Sequence, residues 1–172
     1  AMAQNVSKDD YKAGKDKITA EYKLAKASCA SLSGNPNDIC MAAAKGDEKV
    51  ALAELEAGYK PTSETRYQAR VARADADYGL AKERCDDRAG NTKDVCIKEA
   101  KSAQTAAKAD AKAQMKTTDA NATASKKSAD ARRDATSAKL DAQYTAAKEK
   151  CDTYAGNAKD ICVNEAKVQF GQ

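Results

Sequence analysis

The sequence predicts an all-α protein: three repeats of a long antiparallel helical hairpin, each closed by one disulfide across its turn, in an elongated, coiled-coil-like bundle. Three observations predict this fold. The chain is rich in alanine and charged residues, with no tryptophan and one phenylalanine, which is typical of thin helices that pack closely rather than around a thick core. Apolar residues recur at helical spacing. The six cysteines fall into three evenly spaced pairs.

The repeats begin with the segments YKLAKASC, YGLAKERC and YTAAKEKC, and in each a second cysteine follows after ten residues. The first two repeats are offset by 56 residues and the last two by 66. Because ten residues are close to three helical turns (about 10.8 residues), the insertion nearly preserves the helix face. We expect hairpin repeats at 7–58, 64–117 and 122–172, preceded by a disordered N-terminus or cloning scar at 1–6.

Helices are expected near 7–33, 36–58, 64–89, 92–117, 122–155 and 158–169. The first seam carries Tyr22, Ala25 and Cys29 at i, i+3 and i+7, which place them on one helix face. The next comprises Tyr67, Val71, Ala74, Tyr78, Ala81 and Cys85. We expect these tyrosines to pack on alanines of a partner helix; the alternative is an aromatic binding platform.

Two segments contain residues that disfavour a helix. The segment GYKPTSET at 58–65 breaks the chain with Gly58 and Pro61, and Thr62 or Ser63 caps the next helix. The segment KTTDANATASKKSAD at 116–130 is rich in poor helix formers, which favours a break or kink near 117–123. The alternative is an uninterrupted helix, with a seam formed by Ala124, Ala131, Ala135, Ala138 and Ala142.

The stretches between paired cysteines read as tight turns. Each contains a glycine that suits a left-handed residue ending a helix, at Gly34, Gly90 and Gly156. The next residue is an asparagine that suits the N-cap of the following helix, at Asn35, Asn91 and Asn157. Three residues later an aspartate completes a capping box, at Asp38, Asp94 and Asp160. Pro36 suits the first helical turn.

The cysteines of each pair lie five residues before and six residues after the turn glycine, so they face each other across the hairpin. The repeat therefore predicts the bridges Cys29–Cys40, Cys85–Cys96 and Cys151–Cys162. Each should stabilise the fold by about 2–3 kcal/mol. The alternative is that reduced pairs bind Cu(I) or Ag(I) through two facing thiolates, with a thioether from Met41 in the first repeat.

The composition argues against catalysis. Histidine is absent, which removes the commonest general base and metal ligand, and no nucleotide-binding or hydrolase motif occurs. We therefore expect no enzyme activity and no cofactor.

Charges of both signs are mixed along the chain, with a net charge of +4, so we expect no specific nucleic-acid partner. No apolar run is long enough to cross a membrane. Paired cysteines and the opening AMAQNVSKDD favour an exported protein.

The segments YGLAKERCDDRAGNTKDVCIKEAK at 78–101 and YTAAKEKCDTYAGNAKDICVNEAK at 144–167 resemble a group of small exported, alanine- and lysine-rich proteins of Gram-negative bacteria, some labelled TolA-like or cell-envelope-biogenesis proteins. The resemblance implies a periplasmic location and an accessory role under envelope or metal-ion stress. We expect a scaffold, buffer or chaperone-like partner that acts on an envelope protein or by self-association. The alternative function is sequestration of soft metal ions.

Overall fold

The computed structural model describes residues 6–172 and shows five helices in that range. They are α1 (Lys8–Cys29), α2 (Asn35–Tyr59), α3 (Ser63–Cys85), α4 (Gly90–Cys151) and α5 (Gly156–Phe170). The prediction of an all-α fold with three disulfide-closed hairpins is confirmed. The expectation for segment 1–6 concerns, apart from Val6, residues that lie outside the described range.

The chain divides into two compact units. The first unit ends at Asp119 and contains α1, α2, α3 and the first part of α4. The second unit spans Ala120–Gln172 and contains the rest of α4 together with α5. Within residues 6–172 no helix combines the length and the apolar character that crossing a bilayer requires.

Side-chain caps fix the starts of two helices. The Ser7 side chain accepts a hydrogen bond from the backbone N–H of Asp10 at 3.0 Å, so α1 begins at Lys8. Thr62 and Thr65 form a reciprocal capping box at the start of α3. Each cap satisfies a backbone N–H that the first turn of a helix leaves without a partner.

The expected break near 117–123 is wrong, because α4 runs without interruption from Gly90 to Cys151. The expected helices at 92–117 and 122–155 are therefore one helix. The poor helix formers in this stretch were expected to cap a new helix, which requires a free hydroxyl or carboxylate.

Two hydrogen bonds are consistent with the continuity, one within α4 and one between α3 and α4. The Thr118 hydroxyl donates to the backbone carbonyl of Gln114 at 2.9 Å, inside the same helix. The Asp119 carboxylate accepts a hydrogen bond from the Ser63 hydroxyl at 2.6 Å. Two of the capping groups in this stretch are thus engaged elsewhere, and the alanines beside them favour the helix.

The core of the first unit is a narrow seam of small residues. Helix α2 packs against both α1 and α3. A Cβ added at Gly46 would lie 2.9 Å from the Ala76 Cβ, so the backbones of α2 and α3 approach closely there. Val50 and Ala74 are 3% and 4% exposed. The tyrosine seam of α3 is buried or half-buried as predicted, at Tyr67, Val71, Ala74, Tyr78, Ala81 and Cys85.

One pair of tyrosine rings joins α1 to the end of α2. The rings of Tyr11 and Tyr59 stack with their centroids 4.3 Å apart. The Tyr11 hydroxyl donates to the carboxylate of Glu56, and this hydrogen bond raises the pKa of Tyr11. Aromatic stacking therefore adds to a seam that is otherwise built mostly from small side chains.

The second unit has a smaller interior. Cys151 is 1% exposed and Ala166 is 5% exposed. The Gln172 side chain donates to the carboxylate of Asp141 at 2.8 Å and fastens the end of α5 to α4. The seam expected for an uninterrupted helix is not buried: its alanines are all exposed, at Ala124, Ala131, Ala135, Ala138 and Ala142.

Candidate functional site

The three disulfide-closed turns are the candidate functional site, because they are the features that the chain repeats. The predicted bridges are all present, namely Cys29–Cys40, Cys85–Cys96 and Cys151–Cys162. Their Cα atoms are 5.6, 5.7 and 5.7 Å apart, a separation usual for disulfides. None of the cysteines in residues 6–172 is free.

The two cysteines of each bridge differ in exposure. The first cysteine closes the end of its helix and is buried: Cys29, Cys85 and Cys151 are 0%, 1% and 1% exposed. The second cysteine of each pair is half-buried, at Cys40, Cys96 and Cys162. Each bridge therefore contributes buried apolar surface between two helices and also links them covalently.

The turn glycines have the positive φ that was predicted. The φ angles of Gly34, Gly90 and Gly156 are 63°, 56° and 58°, a region that favours glycine. Their position relative to the helices differs from the prediction. Gly34 is the N-cap of α2, and the other two glycines are the first residues of α4 and α5. Each glycine thus begins the second helix instead of ending the first.

The predicted capping box is wrong. The N-caps of α2 and α5 make no side-chain hydrogen bond. Because each second helix begins earlier than expected, the asparagines lie inside the helices, at Asn35, Asn91 and Asn157. Asp38 lies in the first turn of α2, where its negative charge interacts favourably with the helix dipole. Asp94 and Asp160 lie beyond the first turns of α4 and α5.

A lysine–aspartate pair that was not predicted from the sequence spans each of the last two turns. The Lys93 Nζ lies 2.9 Å from Oδ1 of Asp86, and the Lys159 Nζ lies 2.7 Å from Oδ1 of Asp152. The hydrogen bond with the aspartate raises the pKa of each lysine. The hydrogen bond from Lys93 lowers the pKa of Asp86.

The first turn uses an amide in place of the lysine. Asn37 occupies the position of Lys93, and its side chain donates to the carbonyls of Cys29 and Leu32 at 2.8 and 3.2 Å. The third residue after the turn glycine therefore reaches back across every turn. The signal in the sequence was an aspartate after the first cysteine and a lysine seven residues later, present in two repeats.

Two of the turns lie together. Asn35, at the start of α2, donates to the carboxylate of Asp87 in the turn between α3 and α4, at 2.6 Å. The bridges Cys29–Cys40 and Cys85–Cys96 are therefore at the same end of the first unit. The bridge Cys151–Cys162 belongs to the second unit.

A polar cluster joins α3 to α4 away from the turns. The carboxylate of Asp75 accepts hydrogen bonds from Gln104 and Lys108, both at 2.6 Å. Burial by itself would raise the pKa of Asp75, but the hydrogen bonds from Lys108 and Gln104 lower it. Gln104 is 8% exposed, and the hydrogen bond to Asp75 satisfies its buried amide in the interface between α3 and α4.

Met41, the proposed thioether ligand, directly follows Cys40, whose sulfur is bonded to Cys29. It lines an open groove of about 520 Å³ between α1, α2 and α3, beside Tyr22 and Gly46. All six cysteines are paired in disulfides. In the described part of the chain no three histidine, cysteine or carboxylate side chains are grouped to hold a metal ion. The structure therefore brings the two cysteines of each hairpin together as a disulfide, whereas the soft-metal alternative requires them as free thiolates.

Comparisons with protein-family models, with curated proteins and with solved structures find no match to this chain.

Proposed function

We propose that this is a non-catalytic periplasmic protein of the envelope stress response, which acts as a scaffold, buffer or chaperone-like partner. The observation that carries the proposal is the disulfide that closes each of the three repeated turns. Structural disulfides of this kind are typical of oxidising compartments. They also suit a chain whose small side chains contribute little hydrophobic stabilisation per residue.

The surface of the helices supports a role in binding rather than in chemistry. Charged residues make up 33% of the chain and carry both signs, so the exposed faces are solvated and can form many weak ion pairs. Residues 131–139 of α4 are exposed on every side of the helix. A long exposed helix offers an extended surface to another protein, and the proposal assigns no catalytic residue and no cofactor.

The proposal is tested in a strain that lacks the gene and has no paralogue. The strain is challenged with metal ions, detergent and osmotic stress, and complemented either with the natural sequence or with a variant in which all six cysteines are serine. We expect a growth defect under at least one stress, restored by the natural sequence and poorly restored by the serine variant. Normal growth of the deletion strain under all three stresses would contradict the proposal.

Thiol titration separates this function from soft-metal sequestration. Thiolates bind Cu(I) and Ag(I), whereas a disulfide offers none, so the two functions require different oxidation states. We expect almost no free thiol in protein isolated from its own compartment. Free thiols together with one Ag(I) bound per hairpin, one of which is lost in the variant C85S/C96S, would favour sequestration instead.

A further inference from the structure

The middle of α4 is a helix without a packing partner. Residues 121–139, which we call the exposed segment, are all exposed except for the half-buried Asp130. No residue of α4 between Met115 and Cys151 is buried. Because most helical stability in proteins comes from packing an apolar face, the exposed segment lacks the main source of that stability.

The side chains of the exposed segment contribute little in its place. Asp130 pairs with Lys126 and Arg133 in the same helix, but the two basic side chains are 80% and 77% exposed, and exposed ion pairs of this kind contribute little. Weaker helix formers than alanine recur through the segment, at Asn121, Thr123, Ser125, Ser128, Thr136 and Ser137. The segment is therefore held helical by its own backbone hydrogen bonds and by the helical residues on either side.

The parts of α4 on either side are held by tertiary contacts. Before the exposed segment, Ala111 is 1% exposed, and Lys108 pairs with Asp75 of α3 at 2.6 Å. After it, the Gln172 side chain donates to Asp141. Opening these parts of the helix breaks contacts with other helices, whereas opening the exposed segment breaks only interactions within α4.

We propose that the exposed segment is an extensible tether, which opens from helix to coil while the parts of α4 on either side stay folded. The cost of opening is mainly that of creating two new helix ends, so with a propagation constant near 1 opening is disfavoured by about 10³-fold. The open segment can lengthen from about 29 Å to as much as about 65 Å, so a pull on its two ends favours opening. The inference does not depend on the proposed function.

Peptide-resolved hydrogen exchange of the full oxidised chain tests the proposal. We expect the amides of the exposed segment to be protected about 10³-fold or less, and less than the amides of residues 98–115 in the same helix, because closing of those residues is supported by packing on α3. Protection of the exposed segment equal to that of residues 98–115 would overturn the proposal.

Limited digestion with trypsin tests the same opening by a second route, because proteolysis requires a locally unfolded chain. The first cuts should fall within the exposed segment and leave fragments whose disulfides are intact. The basic residues available there are Lys126, Lys127, Arg132, Arg133 and Lys139. First cuts inside another helix would overturn the proposal.

Two matched glycine variants separate local opening from a general loss of stability. The variant A131G/A135G weakens the exposed segment, and A106G/A109G makes the same exchange at exposed alanines where α4 packs on α3. Each exchange lowers the helix–coil equilibrium constant about fivefold, and cleavage follows the population of the open state when opening is fast. Trypsin should therefore cut the exposed segment about 25-fold faster in A131G/A135G, and at the natural rate in A106G/A109G. An unchanged rate in A131G/A135G, or an equal increase in both variants, would overturn the proposal.

Discussion

Two glycines show why backbone conformation decides the turns. An added Cβ would meet no atom within 4 Å at either Gly34 or Gly79. Gly34 has φ 63° and ψ −150°, a combination that is essentially restricted to glycine, whereas Gly79 lies inside helix α3. Space is therefore equal at the two positions, and only the backbone differs.

The variant G34A should lower the free energy of unfolding of the first unit by about 2 kcal/mol, the order of cost for a residue forced into that region. The matched variant G79A should raise it by about 1 kcal/mol, because alanine favours a helix over glycine. Urea unfolding followed by circular dichroism measures both. Equal effects of the two substitutions would show that the turn glycine is not conformationally required.

The Asp75 cluster should make the first unit sensitive to acid. Hydrogen bonds from Lys108 and Gln104 lower the pKa of Asp75 in the folded state, so its contribution to stability is present above the unfolded pKa of about 3.9. It is lost as the pH falls through the lower folded-state pKa.

Urea midpoints measured from about pH 6 down to about pH 2 test this for the natural chain and for D75N. The natural chain should be the more stable at the upper end, and the difference should shrink below about pH 3.9. A difference that stays constant over the whole range would mean that the carboxylate contributes nothing through its charge.

At the scale of the helices, the disulfides and the turn glycines could be predicted because the same cysteine and glycine spacing occurs three times in the sequence. The first helix of each hairpin ends earlier than predicted, whereas the ends predicted for α2 and α5 are within one residue of those observed. Helix α1 ends at Cys29 and not near residue 33, since the residues before Gly34 form the turn. The break expected near 117–123 rested on intrinsic propensity, which is a weak influence. The hydrogen bonds of Thr118 and Asp119 could not be read from the sequence.

Exchange of two small residues tests the close approach of α2 and α3. The variant G46A should destabilise the first unit by about 1–3 kcal/mol, because the new methyl group overlaps the Cβ of Ala76. The double variant G46A/A76G moves the methyl group to the other helix and should regain most of the loss. Thermal unfolding measures both proteins. A double variant as unstable as G46A alone would show that the contact at Ala76 is not the cause.

At the scale of the whole molecule, the two units depend on their disulfides to different degrees. The first unit also has the packing of α2 on α1 and α3. In the second unit Ala166 is the one buried residue of α5. The disulfide therefore supplies a larger share of the stability of this unit. A bridge that closes a short loop stabilises by about 2–3 kcal/mol.

The variant C151S/C162S should therefore expose the amides of α5 to rapid hydrogen exchange. The matched variant C85S/C96S should lower the stability of the first unit but leave its helices protected. Peptide-resolved hydrogen exchange by mass spectrometry measures both. Unchanged protection of α5 in C151S/C162S would show that packing alone holds α5 against α4.

The central claim is that each repeat is closed by its own disulfide across its own turn. Non-reduced peptide mapping, with intact mass, of protein isolated from its own compartment tests it most directly. The account predicts a mass six hydrogens below that of the reduced chain, matching the three bridges, and linked peptides only for Cys29–Cys40, Cys85–Cys96 and Cys151–Cys162. A bridge between two repeats, or cysteines recovered as free thiols, would contradict it.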